Sequence, residues 1–302
     1  MRLLYLGMGY CAQALSTLRR DPESAGTVRR PEKRGPSPEG LPGSRILLFD
    51  GGPPNDDLRQ ALAEAEALVV SIPPSTSGDT ALTALETDIA NAPHLRRIVY
   101  FSTVGVYGDW GGAWVDETSE TRTRSARGLA RVAAEAQWRD LGRRAGVGVD
   151  VMRLAGIYGP GRNALVKLLQ GDAQRIVKPG QVFNRTHVAD IARIASALLE
   201  RDGPGEVWNV ADEEPAPPQD VIAFAADLLG VPAPPKEDFE KSRLSEMAAS
   251  FYADNRRVSI AKLKRELGLP LLFPTYREGL TALAAELGRE SQTRSSSGPG
   301  IR

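Results

Sequence analysis

Residues 3–12 read Leu3-Leu4-Tyr5-Leu6-Gly7-Met8-Gly9-Tyr10-Cys11-Ala12, and the reading of this stretch decides the fold. An apolar run of strand length enters a turn with two glycines. A helical pattern over residues 10–19 follows and stops near Asp21-Pro22. The same residues admit a second reading. Arg2, the apolar run Leu3 to Leu6 and the triplet Ala12-Gln13-Ala14 imitate a short signal peptide with a small-residue cleavage site. The strand reading is preferred, because the glycine spacing and the rest of the chain agree with it.

Working outward, strands and helices alternate. Residues 26–29 read as a short strand, 45–50 as a third, 56–66 as a helix with Leu58, Leu62 and Ala65 on one side, and 67–72 as a strand ended by Pro73-Pro74. Then come a helix over 79–91, a strand over 97–102, a helix over 125–141 stopped at Gly142, and a strand over 148–154. Continuous apolar strands separated by helices mark a parallel sheet buried on both faces. Six of them by residue 154 predict an α/β fold: a Rossmann-type doubly wound parallel sheet with a smaller, mostly helical C-terminal substrate domain.

After Gly159-Pro160-Gly161 the rhythm changes. A helix is expected over 187–200, a seventh strand over 206–210, and a helix over 218–229 bracketed by proline clusters. A further helix over 259–267 has Ser259 as its expected N-cap and Gly268 just past its end, and another helix follows Pro274. The expected division is a dinucleotide-binding part over 1–160, to which 187–200 and 206–210 return, and a smaller substrate-binding part over 161–287. A low-complexity tail over 288–302 is expected to be disordered. Residues 31–44, with four prolines and three glycines, read as a loop or insertion.

Composition narrows the function classes. The 302 residues carry 38 Lys+Arg against 38 Asp+Glu, which argues against a nucleic-acid-coating protein. Hydrophobic residues at 41% and charged residues at 25% are globular proportions and exclude global disorder. The single cysteine, Cys11, excludes an internal disulfide, and His94 and His187 are the only histidines, so no metal site is expected. No apolar run approaches the roughly 18 residues of a membrane span. A reducing, cytoplasmic setting fits.

The turn itself is G-x-G-x-x-A. Gly7 allows the tight turn, Gly9 clears the approach of a pyrophosphate to the backbone, and Ala12 keeps the helix close to the strand. Tyr10 opens the helix whose free N–H groups and dipole face the phosphates. An acidic residue gripping a ribose 2′-hydroxyl is expected about 20 residues on. That place reads Thr27-Val28-Arg29-Arg30, with Lys33 beyond. Cations there suit a 2′-phosphate, so NADP(H) is preferred, with NAD(H) as the other candidate. Asp50-Gly51 and Ser71-Ile72-Pro73 end the third and fourth strands, where the crevice falls. Asp50 either accepts from an adenine amino group or caps its own turn. Cys11 reads as a small filler rather than a redox switch.

Three later stretches carry a resemblance: Phe101-Ser102-Thr103-Val104-Gly105-Val106-Tyr107-Gly108, Arg153-Leu154-Ala155-Gly156-Ile157-Tyr158-Gly159-Pro160, and His187-Val188-Ala189-Asp190. In order and spacing the chain resembles the extended short-chain dehydrogenase/reductase family, the NAD-dependent epimerase/dehydratase group, over roughly residues 1–285. The resemblance implies a Ser or Thr, a Tyr and a Lys working on a substrate oxygen while a nicotinamide exchanges hydride. Thr103 matches the first, with Ser102 beside it on the cofactor side. Counting back from Glu135, the Lys position is Arg131 and the Tyr position is Arg127, so both are absent. A guanidinium cannot donate a proton at ordinary pH. In this the chain looks like an atypical bacterial subgroup that keeps the nucleotide turn and lacks the Tyr-x-x-x-Lys pair.

Arg131 is left as a holder of the nicotinamide ribose or a phosphate. Arg124, Arg127 and Arg131 share one helical face, which is either an anion-binding surface or a solvated one. Tyr107 is the candidate replacement acid. Asp109, Trp110, Trp114 and Asp116 are candidates for a lid. His187, with Asp190, is expected to cap its helix. The Arg found four before that His in nucleotide-sugar enzymes is Phe183 here. Arg127, Arg162, Arg185 and Arg256 remain as candidate substrate contacts.

The expected function is an NAD(P)-dependent oxidoreductase or epimerase-like enzyme with a non-standard active site, acting on a small anionic carbonyl or sugar-type compound. The alternative is a non-catalytic NAD(P)-binding redox sensor or partner-binding protein. The expected partner is a small anionic molecule, with a homodimer admitted and neither nucleic acid nor membrane.

Overall fold

A computed structural model describes residues 1–30 and 45–296. The loop or insertion read over 31–44, including Lys33, lies outside the described residues. In chain order the first half contains β1 (Leu3–Leu6), α1 (Tyr10–Arg19), β2 (Ala25–Val28), β3 (Arg45–Leu48), α2 (Asp56–Glu64), β4 (Ala67–Val70), α3 (Thr80–Ala90), β5 (Arg97–Thr103), β6 (Trp114–Val115), α4 (Ala126–Ala145) and β7 (Gly148–Leu154). The second half contains β8 (Gly156–Tyr158), α5 (Ala164–Gln170), β9 (Arg175–Val177), β10 (Arg185–His187), α6 (Val188–Leu199), β11 (Val207–Val210) and α7 (Pro218–Leu229). It ends with β12 (Lys236–Asp238), α8 (Glu246–Ala253), β13 (Arg257–Val258), α9 (Ala261–Glu266) and α10 (Tyr276–Ser296).

Seven strands form one parallel sheet in the order β11-β7-β5-β4-β1-β2-β3. This is the doubly wound, Rossmann-type α/β sheet. Its apolar runs are continuous because successive side chains enter two cores. Leu3, Tyr5, Val99 and Phe101 pack on the face covered by α1 and α6, with Leu15, Ile191 and Leu198. Leu4, Leu6, Ile98 and Tyr100 pack on the face covered by α2, α3 and α4, with Leu58, Leu85 and Trp138. Fully burying such a leucine contributes about 1.5–3 kcal/mol, which fixes the register of β1 in the middle of the sheet. Residues 3–6 are therefore a central strand, and the signal-peptide reading falls away.

A third core lies outside the sheet. Tyr158, Leu165, Val221, Ala225, Tyr276 and Leu280 join α5, α7 and α10. Small parallel pairs, β8 with β10 and β9 with β12, hold this helical part together.

Three boundaries differ from expectation. Gly142 lies inside α4, not at its end. A Cβ there would stand 2.6 Å from the Val147 carbonyl oxygen, so this glycine lets helix and strand approach. The helix stops four residues later at Gly146, with φ +70°. Ser259 stands one residue before the N-cap position, which is Ile260: α9 begins at Ala261, whose N–H donates to Ser259 Oγ at 3.3 Å. The tail expected from residue 288 is helical as far as Ser296, and residues 297–302 lie outside the described residues.

Candidate functional site

The glycine turn is built by backbone geometry. Gly7 has φ +96°, a conformation other residues rarely adopt, and a Cβ there would stand 2.9 Å from Ile72 Cγ1. Its N–H donates to Thr27 Oγ1 at 2.8 Å, and the Met8 N–H donates to the Thr27 carbonyl at 2.9 Å. Met8 then lies directly against Gly26. Gly9 is the N-cap of α1, with no side-chain cap and no acidic residue in the first turn. The N–H groups and the positive end of the helix dipole therefore face outward at an exposed, side-chain-free position. Ala12 is fully buried against the sheet, and Cys11, also buried, has its thiol pushed up to about 11 by burial, which fits a filler.

The neighbouring strand ends converge on this turn. Arg29 and Arg30 follow β2, exposed and without an ion pair among the described residues. Asp50 follows β3, and its Oδ1 accepts from the Gly52 N–H at 2.9 Å. Gly51, at φ +104°, abuts Thr80. The N–H groups of Ser71 and Ile72 both donate to the Leu6 carbonyl, at 2.9 and 3.2 Å, bending the end of β4 over the turn, with Pro73 exposed beyond.

At the end of β5 the structure separates residues that the sequence groups together. Thr103 is half-buried, and its Oγ1 accepts from the Gly105 N–H at 3.1 Å, so its own hydroxyl proton is free to donate. Ser102 is a correction: its buried hydroxyl donates to Glu135, not to a cofactor. Tyr107 is a larger one. It is 0% exposed, its hydroxyl donates to Asn209 Oδ1 at 2.7 Å, and the Arg153 guanidinium lies 4.8 Å from its ring centroid. Burial raises its pKa. The one-turn helix over residues 104–107 rotates it into the core, so it is a packing residue and not the replacement acid. Glu135 in turn pairs with Arg153 at 2.8 Å, and Glu117 Oε1 accepts from the Asn209 N–H at 2.8 Å. The chain Ser102–Glu135–Arg153–Tyr107–Asn209–Glu117 is a polar ladder behind the crevice. Its one sequence signal was a polar residue, Asn209, within an apolar strand.

The arginines sort in the same way. Arg127 is exposed near the start of α4, with Arg124 just before it, and neither has an ion pair among the described residues. Arg131 is half-buried and donates to Tyr100 Oη at 3.0 Å and the Phe101 carbonyl at 2.7 Å. Arg162 is exposed on the loop after β8, 5.9 Å from the Tyr10 ring centroid. Arg185 is a correction, since its guanidinium turns to the Phe183 and Ala216 carbonyls at 2.9 and 3.1 Å and faces Tyr276. Arg256 is likewise engaged, with the Gly108 carbonyl at 2.6 Å and Asp254 at 3.2 Å. His187 caps α6 through Nδ1, which accepts from the Ala189 N–H at 3.2 Å, and burial pushes its pKa down to about 4. It stays neutral at ordinary pH.

The loop offered as a lid is sewn down. The N–H groups of Trp110 and Gly112 donate to the Asn255 carbonyl at 2.9 and 3.0 Å, Asp109 Oδ1 accepts from the Asn255 N–H, and β6 pairs with β13. A cavity of about 960 Å³ lies at the opposite, amino edge of the sheet, lined by residues such as Arg97, Arg139, Gly148 and Arg201. Size alone favours it, but its buried arginine is spent on structure: Arg97 pairs with Asp150 at 2.9 Å. Among the described residues, no group of three or more His, Cys, Asp or Glu could hold a metal, and no helix is long and apolar enough to cross a membrane.

A parallel doubly wound sheet whose first turn presents bare helix N–H groups at its carboxyl edge defines the dinucleotide-binding class of α/β proteins. Residues 79–211 match the family described as NAD dependent epimerase/dehydratase. A conserved protein of unknown function from Silicibacter pomeroyi DSS is 44% identical, with 95% of this chain and 99% of that one covered and a TM-score of 0.85. Protein YeeZ of Escherichia coli (strain K12) is 33% identical over 189 residues, which is 60% of this chain and 65% of YeeZ, so the match spans less than two thirds of that relative. In fold the chain is also similar to dTDP-glucose 4,6-dehydratase from Bacillus anthracis str. Ames in complex with NAD, at 18% identity over 97% of this chain and 98% of that one, with a TM-score of 0.76. Residues 79–211 therefore carry the NAD dependent epimerase/dehydratase match, and over nearly its whole length the chain is a relative of the Silicibacter pomeroyi protein.

Proposed function

We propose that the protein binds a nicotinamide dinucleotide, NADP(H) in preference to NAD(H), and acts as an oxidoreductase or epimerase-like enzyme on a small anionic carbonyl or sugar-type compound. The observation that carries this reading is the cradle at Gly7 and Gly9: a positive-φ glycine against Ile72 and an uncapped helix start at the exposed Gly9. Gly7, Gly9, Tyr10 and Ala12 would hold the pyrophosphate, Arg29 and Arg30 a 2′-phosphate, and Asp50, Gly51, Ser71, Ile72 and Pro73 the adenosine side. When bound, the nicotinamide would supply or accept hydride. Thr103 would donate its free hydroxyl proton as a hydrogen bond to the substrate oxygen, water would deliver the exchanged proton, and Arg127 would attract the substrate's anionic group.

A second reading has its own support. Arginines at 127 and 131 stand where the family's Tyr and Lys stand, Arg131 is tied to Tyr100 and Phe101, and Tyr107 is buried. These favour a non-catalytic NAD(P)-binding redox sensor or partner-binding protein. Calorimetry with both reduced cofactors, followed by a carbonyl and alcohol screen read at the NADPH absorbance, separates the two. Turnover lost in Thr103→Val with cofactor affinity retained supports the enzyme. Tight binding without turnover supports the sensor. No binding of either nucleotide at millimolar concentration, with Gly7→Val no different from wild type, removes both.

A further inference from the structure

We infer that Arg162, carried by the loop between β8 and α5, is a pyrophosphate-binding residue of the dinucleotide site and not a substrate contact; this rests on the dinucleotide reading above. The turn from Gly7 to Ala12 contains no cation, and a helix start supplies only about half an elementary charge against a diphosphate. Arg162 is the cation set beside its Tyr10. It is exposed and has no ion pair or side-chain hydrogen bond among the described residues, and its guanidinium lies 5.9 Å from the Tyr10 ring centroid. Its charge is felt by both the Tyr10 hydroxyl and the Cys11 thiol, in the first turn of α1.

The loop is built to keep it there. Gly159 and Arg162 exchange backbone hydrogen bonds at 3.0 and 3.1 Å. Asn163 ties the loop from both ends, donating from Nδ2 to the Gly159 carbonyl at 2.8 Å and accepting at Oδ1 from the Val166 N–H at 3.0 Å, at the start of α5. Tyr10 then fastens loop to turn, its hydroxyl donating to the Pro160 carbonyl at 2.9 Å. Gly159 makes this latch fit, because a Cβ there would stand 2.6 Å from the Tyr10 hydroxyl and 2.7 Å from Val188 Cγ1. On the same spot borders His187 Nε2, buried and without a partner among the described residues. A diphosphate seated on the N–H groups of α1 is thus faced by a planar guanidinium whose paired donors match phosphate oxygens.

The test is calorimetry of the full chain with NADPH and with ADP, for wild type, Arg162→Gln, Arg162→Lys and Tyr10→Phe. Arg162→Gln weakens both ligands by the same factor, about tenfold or more, without moving the melting temperature of the free protein. Arg162→Lys recovers part of the loss, and Tyr10→Phe costs about threefold. Arg162→Gln binding NADPH within twofold of wild type overturns the proposal while leaving dinucleotide binding intact. So does a loss confined to NADPH, which would move Arg162 to the nicotinamide half or to the 2′-phosphate. A wild type that binds no nucleotide overturns this proposal and the reading beneath it together.

Discussion

The two edges of the seven-stranded sheet are both rich in arginine, and they use it in opposite ways. At the amino edge, Arg97 is 4% exposed and joins Asp150, the Arg201 carbonyl and the Gly203 carbonyl. Arg96, Arg143 and Arg201 also have carboxylate partners, with Arg139 the exception among the described residues. At the carboxyl edge, Arg29, Arg30, Arg124, Arg127 and Arg162 stand exposed, without ion pairs among the described residues. Placing Arg127 near the positive start of α4 runs against the helix dipole, worth about 0.3–1 kcal/mol in the wrong direction. A cation kept where it opposes its own helix dipole is the stronger ground for the proposed ligand contact than a cation in a large cavity.

That contrast can be broken most forcefully at the amino edge. Asp150 is 0% exposed and accepts from Arg97, the Glu206 N–H and Trp208 Nε1. Asp150→Ala should therefore cost about 3–5 kcal/mol in urea unfolding, because it strands a buried guanidinium. Cofactor affinity, measured where the variant is folded, should be unchanged. A loss below 1 kcal/mol would mean the amino edge is not a structural clamp.

The next effect is a pH dependence on the carboxyl side. His187 is held neutral in the fold, with its pKa depressed from 6.5 to about 4, so the unfolded chain binds the proton more readily. Stability from this group is fully present above pH 6.5 and is lost as pH falls towards 4, by up to about 3 kcal/mol. His187→Asn keeps a capping side chain and should flatten the fall in melting temperature over that window. Parallel melting curves for the two proteins would refute the assignment.

The smallest effect is the most specific. Arg29→Ala with Arg30→Ala should weaken NADPH about tenfold, leave NADH within twofold, and change stability by no more than about 0.5 kcal/mol. Equal losses for both cofactors would remove the preference for the 2′-phosphate.

The sheet was legible in the sequence because each strand feeds two cores, so Leu3–Leu6 and residues 98–101 within β5 read as unbroken apolar runs. The turn at Gly7 was legible because backbone conformation admits few residue types. The partners of Tyr107 and Ser102 were not. Tyr107 lies four residues from Thr103, but its fate depends on Asn209, which is 102 positions away, and on the rotation of a one-turn helix. Arg185 misled for a similar reason: a guanidinium can satisfy distant carbonyls as readily as a ligand. Gly142 was read as a helix stop because spacing along one element cannot reveal that Val147 lies against it.

Asn255 takes the N–H groups of Trp110 and Gly112 and gives its own to Asp109, so the rim beside the crevice is already in its final shape. On the dinucleotide reading, a molecule arriving there would meet a rim already tied in place. Its rate of entry would then be set by diffusion and by steering in the field of the exposed guanidinium groups. Selectivity at such a mouth is exercised through residence time, in how slowly the right molecule leaves.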